Sequence, residues 1–165
     1  MGLLGRYPMQ LASSDFSTGG PIPVRFTCEG DNVSPQLSWK EVPPGTKSFA
    51  LILHDPDAPR VCGFTHWVIY NIPADKAQLE SNVPKREEVP GTGTQGRNDS
   101  GEIGYLGPCP PSGTHRYYAR LFALNTELKL APGATKNQLS HAMLTHVLER
   151  ADLMGIYTRK AEKAA

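Results

Sequence analysis

Glycine and proline interrupt this chain every few residues, and that spacing limits what it can fold into. There are 16 glycines and 15 prolines among 165 residues, well above the roughly 12% of average usage. Turn chemistry recurs at Gly19-Gly20-Pro21, Glu29-Gly30-Asp31-Asn32, Pro43-Pro44-Gly45, Asp55-Pro56, Pro90-Gly91 and Pro110-Pro111. Glycine reaches positive φ cheaply, and proline presets a turn and withholds a donor. The segments left between such breaks suit short strands better than long helices, so the expected class is mainly β.

Three runs read as strands. Ser48 to His54 is compact, apolar and bounded by turns. Trp67 to Ile72 is rich in β-branched and aromatic residues and is stopped by Pro73. His115 to Leu124 is the third, with Gln36 to Trp39 and Val24 to Cys28 as weaker candidates. Strand side chains alternate, so His115, Tyr117, Ala119, Leu121 and Ala123 share one face. The same count places Asp55 at the end of the apolar face formed by Phe49, Leu51 and Leu53.

One helix is expected near the C-terminus. Thr135 with Gln138 three residues on is a capping-box pattern. Leu139, Met143, Val147, Ala151 and Met154 follow at helical spacing, with Gly155 as the stop. A short helical turn is expected over Ala74 to Leu79, and a long irregular segment from Asn82 to Gly107. The whole chain, 1–165, reads as a single domain with a core of about 10–158 and a charged, frayed tail at 159–165.

Charge and cysteine content narrow the function. Hydrophobic residues make up 39% and charged residues 20%, as in globular chains. With 17 basic and 16 acidic residues, nothing draws the chain electrostatically to nucleic acid or an anionic membrane. The sequence has no apolar run near the ~20 residues of a membrane span, and residues 1–16 do not read as a signal peptide. Cys28, Cys62 and Cys109 are odd in number and widely spaced, which argues for reduced thiols in a cytoplasmic protein.

Several local patterns have bland readings that outweigh the functional ones. Gly91 to Gly96 spells G-x-G-x-x-G, but turn residues follow where a phosphate-facing helix is required. Cys62, His66, Cys109 and His115 could be drawn as a zinc site, but their spacings depart from structural sites. The sequons at Asn32 and Asn98 carry no weight without a secretory context. His141 and His146 read as solvated or packing residues of the helix. Arg116 and Arg120 read as a solvated or salt-bridged face. No Gly-x-Ser-x-Gly elbow is present, and no metal or cofactor is expected.

Polar residues gather at the strand ends. Asp55 to Pro59 follows the first run, His66 opens the second, and Gly107 to Pro111 precedes the third, which opens on His115-Arg116-Tyr117. Jointly they suggest a concave site lined by a carboxylate, two imidazoles and a phenol.

These same segments carry a family resemblance. Asp-Pro-Asp-Ala-Pro at 55–59, the Phe64 to Pro73 run and Gly107 to Tyr117 resemble the phosphatidylethanolamine-binding protein family, in its prokaryotic, Raf-kinase-inhibitor-like branch. Flanking agreement comes from Phe26 to Trp39 and Asp152 to Tyr157, so the likeness spans about 10–158. It implies a β-sandwich with a large central sheet and a smaller one. It implies an anion-binding pocket at one sheet end, holding Asp55, His66, His115 and Tyr117, with Gly107 to Pro111 as its rim. Asp57 would shape the turn.

The function it implies is non-catalytic binding of a phosphorylated or other anionic small ligand, such as a phospholipid headgroup, with regulation of a partner protein. The alternative is inhibition of a serine protease or kinase, for which Thr92 to Gly101 would be the exposed loop. An enzyme using Asp55, His66 and His115 as acid–base groups is disfavoured, because no activated nucleophile accompanies them. The resemblance also allows a homodimer.

Overall fold

The computed structural model describes residues 5–160. Among the described residues, nine strands form two antiparallel sheets, accompanied by one α-helix. The small sheet has the order β1-β2-β5, from β1 (Gln10–Ala12), β2 (Leu37–Lys40) and β5 (Gln78–Leu79). The large sheet has the order β6-β7-β4-β3-β8-β9. Its strands are β3 (Ser48–Asp55), β4 (Phe64–Pro73), β6 (Glu88–Val89), β7 (Gly93–Gln95), β8 (Thr114–Leu124) and β9 (Val147–Thr158). The mainly β class, the two sheets and the lone helix agree with the sequence reading.

The central strand β3 shows why its sequence is continuously apolar. All eight of its residues are buried. Phe49, Leu51 and Leu53 join Leu37 and Trp39 of the small sheet in one cluster. Ala50 and Ile52 face the other way, against Leu139 and Met143 of α1 (Lys136–Met143). A strand covered on both faces has no solvent side to make polar. Each fully buried large side chain contributes about 1.5–3 kcal/mol.

The Thr135 capping box is present. The Gln138 N–H donates to Thr135 Oγ1 at 3.2 Å, and the Thr135 N–H donates to Gln138 Oε1 at 2.9 Å. The helix is shorter than its apolar stripe suggested. It ends at Met143, Thr145 takes φ +70°, and Val147–Thr158 is a strand paired with β8 along its length. Ala151, Leu153, Gly155 and Tyr157 are buried alternately, a period of two that the helical spacing of Val147, Ala151 and Met154 had masked. Gly155 is therefore no helix stop. A Cβ there would meet Ile22 Cγ1 at 2.6 Å and Phe16 Cε2 at 2.8 Å, so glycine is needed for close packing.

Other expectations also change. Val24–Phe26 is a 3-10 turn, not a strand. The Ala74 to Leu79 segment is a turn leading into β5. The segment from Asn82 to Gly107 contains β6 and β7. Within Thr92 to Gly101, Thr94, Gln95 and Asn98 are buried and β7 pairs with β4, while Arg97 and 99–101 are exposed, so only part of this stretch is the exposed loop expected. His146 lies past the helix and hydrogen-bonds Asn125 through Nδ1 at 2.9 Å. Lys160 donates its N–H to Glu29 Oε1 at 2.9 Å. The rest of the expected tail, 161–165, lies outside the described residues, as do residues 1–4 of the segment read for a signal peptide. Among the described residues no helix is long and apolar enough to cross a membrane.

The cysteine reading is corrected. Cys28 and Cys109 form a disulfide with Cα atoms 5.4 Å apart and a sequence separation of 81. Cys62 is the free, exposed thiol among the described residues. Long-range folding brings the pair together, and linear spacing carries no sign of it. No metal-holding group of His, Cys, Asp or Glu exists among the described residues.

Candidate functional site

Strand direction places the polar residues at one end of the large sheet. β3 finishes at Asp55, while its antiparallel neighbours β4 and β8 begin at Phe64 and Thr114. Asp55, His66, His115, Tyr117, Gly107 and Pro111 all line one cavity of about 380 Å³. The sequence-predicted set is thus brought together in full.

His66 arrives there through a bulge. Leu53 pairs with Trp67 and His54 with Thr65, so His66 is the extra residue on β4. Strict alternation would turn His66 away from the side that Trp67 faces. The bulge re-aims it: Trp67 lies in the inter-sheet cluster, and the His66 ring stands 5.3 Å from that of Tyr117, edge to face. The Tyr117 ring also stands 6.4 Å from that of His115, stacked.

Each imidazole is anchored through Nδ1. His115 Nδ1–H donates to Asp55 Oδ2 at 2.6 Å, with both side chains buried. The other carboxylate oxygen, Oδ1, accepts the Asp57 N–H at 2.7 Å. Both Asp55 oxygens are thereby committed. His66 Nδ1–H donates to the Leu106 carbonyl at 2.7 Å, and the Leu106 N–H returns a bond to the His66 carbonyl at 2.9 Å. A carbonyl cannot donate, so Nδ1 of His66 carries the proton and Nε2 remains for a ligand.

Burial sets the protonation preferences. Desolvation pushes the His66 imidazolium below the ordinary histidine range, opposed by the Leu106 carbonyl and the Asp55 charge. Burial raises the Tyr117 hydroxyl beyond titration, with the Asp55 charge adding to it and a Cys109 backbone hydrogen bond opposing it. Tyr117 is therefore a neutral phenol at any physiological pH.

The rim is stitched to a second loop. Besides the Cys28–Cys109 disulfide, the Cys28 N–H donates to the Pro108 carbonyl at 3.1 Å and the Gly107 N–H to Asn32 Oδ1 at 2.7 Å. The Tyr105 hydroxyl donates to the Phe26 carbonyl at 2.5 Å. A Cβ on Gly107 would stand 2.2 Å from Phe26 O, so the two backbones approach as only glycine permits. The Asp55–Pro59 turn is clamped from outside. Arg116 Nη2 and Nε reach Asp57 Oδ1 and Oδ2 at 2.8 and 3.0 Å, and that contact, ahead of all else, holds the Asp57 carboxyl down at about 2. The expectations that Asp57 shapes the turn and that Arg116 is salt-bridged agree with this clamp.

Sequence reasoning missed part of the lining. Arg60, Phe64, Leu106 and Cys28 also line the cavity. The signal for Arg60 and Phe64 was adjacency to the 55–59 motif and to His66. Leu106 and Cys28 had none, because only tertiary contact brings them in. His54, in contrast, is buried outside the cavity lining and hydrogen-bonds Thr65 Oγ1 at 3.1 Å.

The phosphatidylethanolamine-binding protein family model matches residues 12–158. The chain belongs to this family. Among its relatives is a UPF0098 protein of Methanothermobacter thermautotrophicus, 54% identical over 151 residues, covering 92% of this chain and 99% of the relative. A solved phosphatidylethanolamine-binding protein homologue from Chlamydia trachomatis is 40% identical with a TM-score of 0.85, covering 93% of this chain and 99% of its own. Escherichia coli YbcL, described as a member of the mammalian family, is 34% identical with a TM-score of 0.86, covering 93% of this chain and all of its own. The family's fold is thus the fold of this chain, and its Asp-Pro-Asp-Ala-Pro and Gly-Pro-Cys-Pro-Pro segments meet at the cavity just described.

Proposed function

We propose that this chain is a non-catalytic binding protein for small phosphate-bearing ligands, held in the cavity at the sheet end. The observation that carries the reading is the matched anchoring of two buried imidazoles. Each uses Nδ1 on a fixed protein acceptor, which leaves Nε2 to donate to an oxyanion when the ring is protonated. A tetrahedral oxyanion is bound best by donors that converge on it. The family's name supports a phosphorylated headgroup as one such ligand.

The absence of catalysis is part of the proposal and rests on the lining. It contains no serine or threonine, and both of its cysteines are joined to each other. Two histidines and a carboxylate without a nucleophile bind more readily than they transform.

The test is an NMR shift titration with inorganic phosphate and O-phosphoethanolamine between pH 5.5 and 8. Wild type should bind more tightly as pH falls, because the anion favours protonated His66. Unchanged affinity in both His66→Ala and His115→Ala would overturn the reading.

A further inference from the structure

A fixed positive charge stands at the mouth of the cavity, apart from its buried centre. Deep in the site sit a carboxylate, a phenol and an imidazole that burial keeps neutral. Arg116 nearby is engaged bidentately by Asp57. Among the described residues that line the cavity, Arg60 is the one lysine or arginine. It is exposed at the mouth, and no ion pair to it exists among the described residues. Its guanidinium carbon stands 5.1 Å from the centre of the Phe64 ring, and that ring in turn stands 4.8 Å from the His66 ring.

We propose that Arg60 is a specificity-determining residue, selecting purely anionic phosphomonoesters over zwitterionic headgroups of the phosphoethanolamine kind. The inference rests on the anion-binding reading above and deepens it. Two effects of the same guanidinium act together. A ligand whose phosphate sits between the imidazoles places its substituent towards the mouth, where an ammonium group meets a fixed like charge. The Phe64 ring is the surface best suited to receive an organic cation, and Arg60 already covers it. A neutral or anionic substituent meets neither obstacle. The remaining wall, from Pro59, Leu106, Pro110 and Pro111, suits a compact apolar group.

The experiment compares two ligands that differ in one group, monoethyl phosphate and O-phosphoethanolamine, by NMR shift titration at pH 7.5. Wild type should hold monoethyl phosphate about 5-fold more tightly, the size of a partly screened like-charge contact. Arg60→Gln should weaken monoethyl phosphate and at the same time strengthen O-phosphoethanolamine, because the Phe64 ring is uncovered. The ratio should then fall to within about 2-fold of unity or invert. Arg60→Lys should keep the ranking. In Arg60→Gln, the further change Phe64→Leu should remove the gain for O-phosphoethanolamine.

Equal wild-type affinities for the two esters, or a ratio unmoved by Arg60→Gln, overturn this inference and leave the anion-binding reading standing. Binding of neither ester, nor of inorganic phosphate, by wild type overturns both.

Discussion

Asp55 Oδ2 and His115 Nδ1 lie 2.6 Å apart although 60 residues separate them in the chain. The contact joins the last residue of β3 to the second residue of β8, and the antiparallel register of those strands makes it. Because Asp55 Oδ1 takes the Asp57 N–H at the same time, the carboxylate accepts from a donor on each side. Those two bonds spread the carboxylate's charge over both oxygens.

Asp55→Asn should therefore fail on one side. An amide has one acceptor and one donor, and the site presents two donors to it. The loss of a charge-assisted bond and the mismatch that follows should cost about 2 kcal/mol of stability. Phosphate affinity should fall roughly 10-fold or more, as His115 loses its anchor. Denaturant unfolding and a phosphate titration on the folded variant measure the two effects separately.

Stability should decline on mild acidification. His66 and His54 both lie below the ordinary histidine value of 6.5, chiefly through burial. A lowered folded-state value means that the unfolded chain binds more protons below about 6.5. Their contribution is complete above that pH and is lost as pH falls through the folded-state values. The melting temperature should drop between pH 7 and pH 5. Saturating phosphate should flatten the drop, since a bound anion favours charged His66. A melting curve series in chloride and in phosphate buffers at equal ionic strength decides it; identical slopes would count against the anion site.

Gly107→Ala should destabilise by about 1–3 kcal/mol through overpacking. The added Cβ has Phe26 backbone oxygen at 2.2 Å and Asn32 Oδ1 at 2.7 Å as neighbours; the first is fixed backbone, and the second is held by the Gly107 N–H. Gly113→Ala is the useful comparison, because nothing lies within 4 Å of its Cβ position, although its φ of +68° adds strain of its own. Because Gly107 is not among the positive-φ glycines, a loss no larger than that of Gly113→Ala would count against crowding as the reason for glycine there.

Reducing the Cys28–Cys109 disulfide should lower stability by about 4 kcal/mol, the loop-entropy expectation for a closure of this length. Three hydrogen bonds join the same two loops independently of the disulfide. The folded, reduced protein should thus keep its rim and lose no more than a few-fold in phosphate affinity. Chemical unfolding with and without dithiothreitol, beside a Cys28→Ala/Cys109→Ala variant, gives the number.

Much of the architecture was legible because it depends on local chemistry. The apolar run of β3, the alternating face of β8, the turn residues and the Thr135–Gln138 capping box are each specified by neighbours a few positions away. Three of the four polar site residues were legible for a related reason: Asp55, His115 and Tyr117 stand near strand ends, where alternation fixes which face they join. Asp55 and Tyr117 follow directly from that count.

What remained hidden depends on pairing between distant segments. β9 carries both a helical and a two-residue period, and the open edge of β8 decides between them by supplying a strand to pair with. Cys28 and Cys109 reveal their partnership only once two loops 81 residues apart are stacked. His66 reaches the cavity because β4 slips by one residue against β3. From the sequence alone came the turns, the strand cores and the types of groups available to a ligand. Their meeting in one cavity was decided by the tertiary structure, because register, bulges and disulfide pairing are energies of contact between strands that no single segment contains.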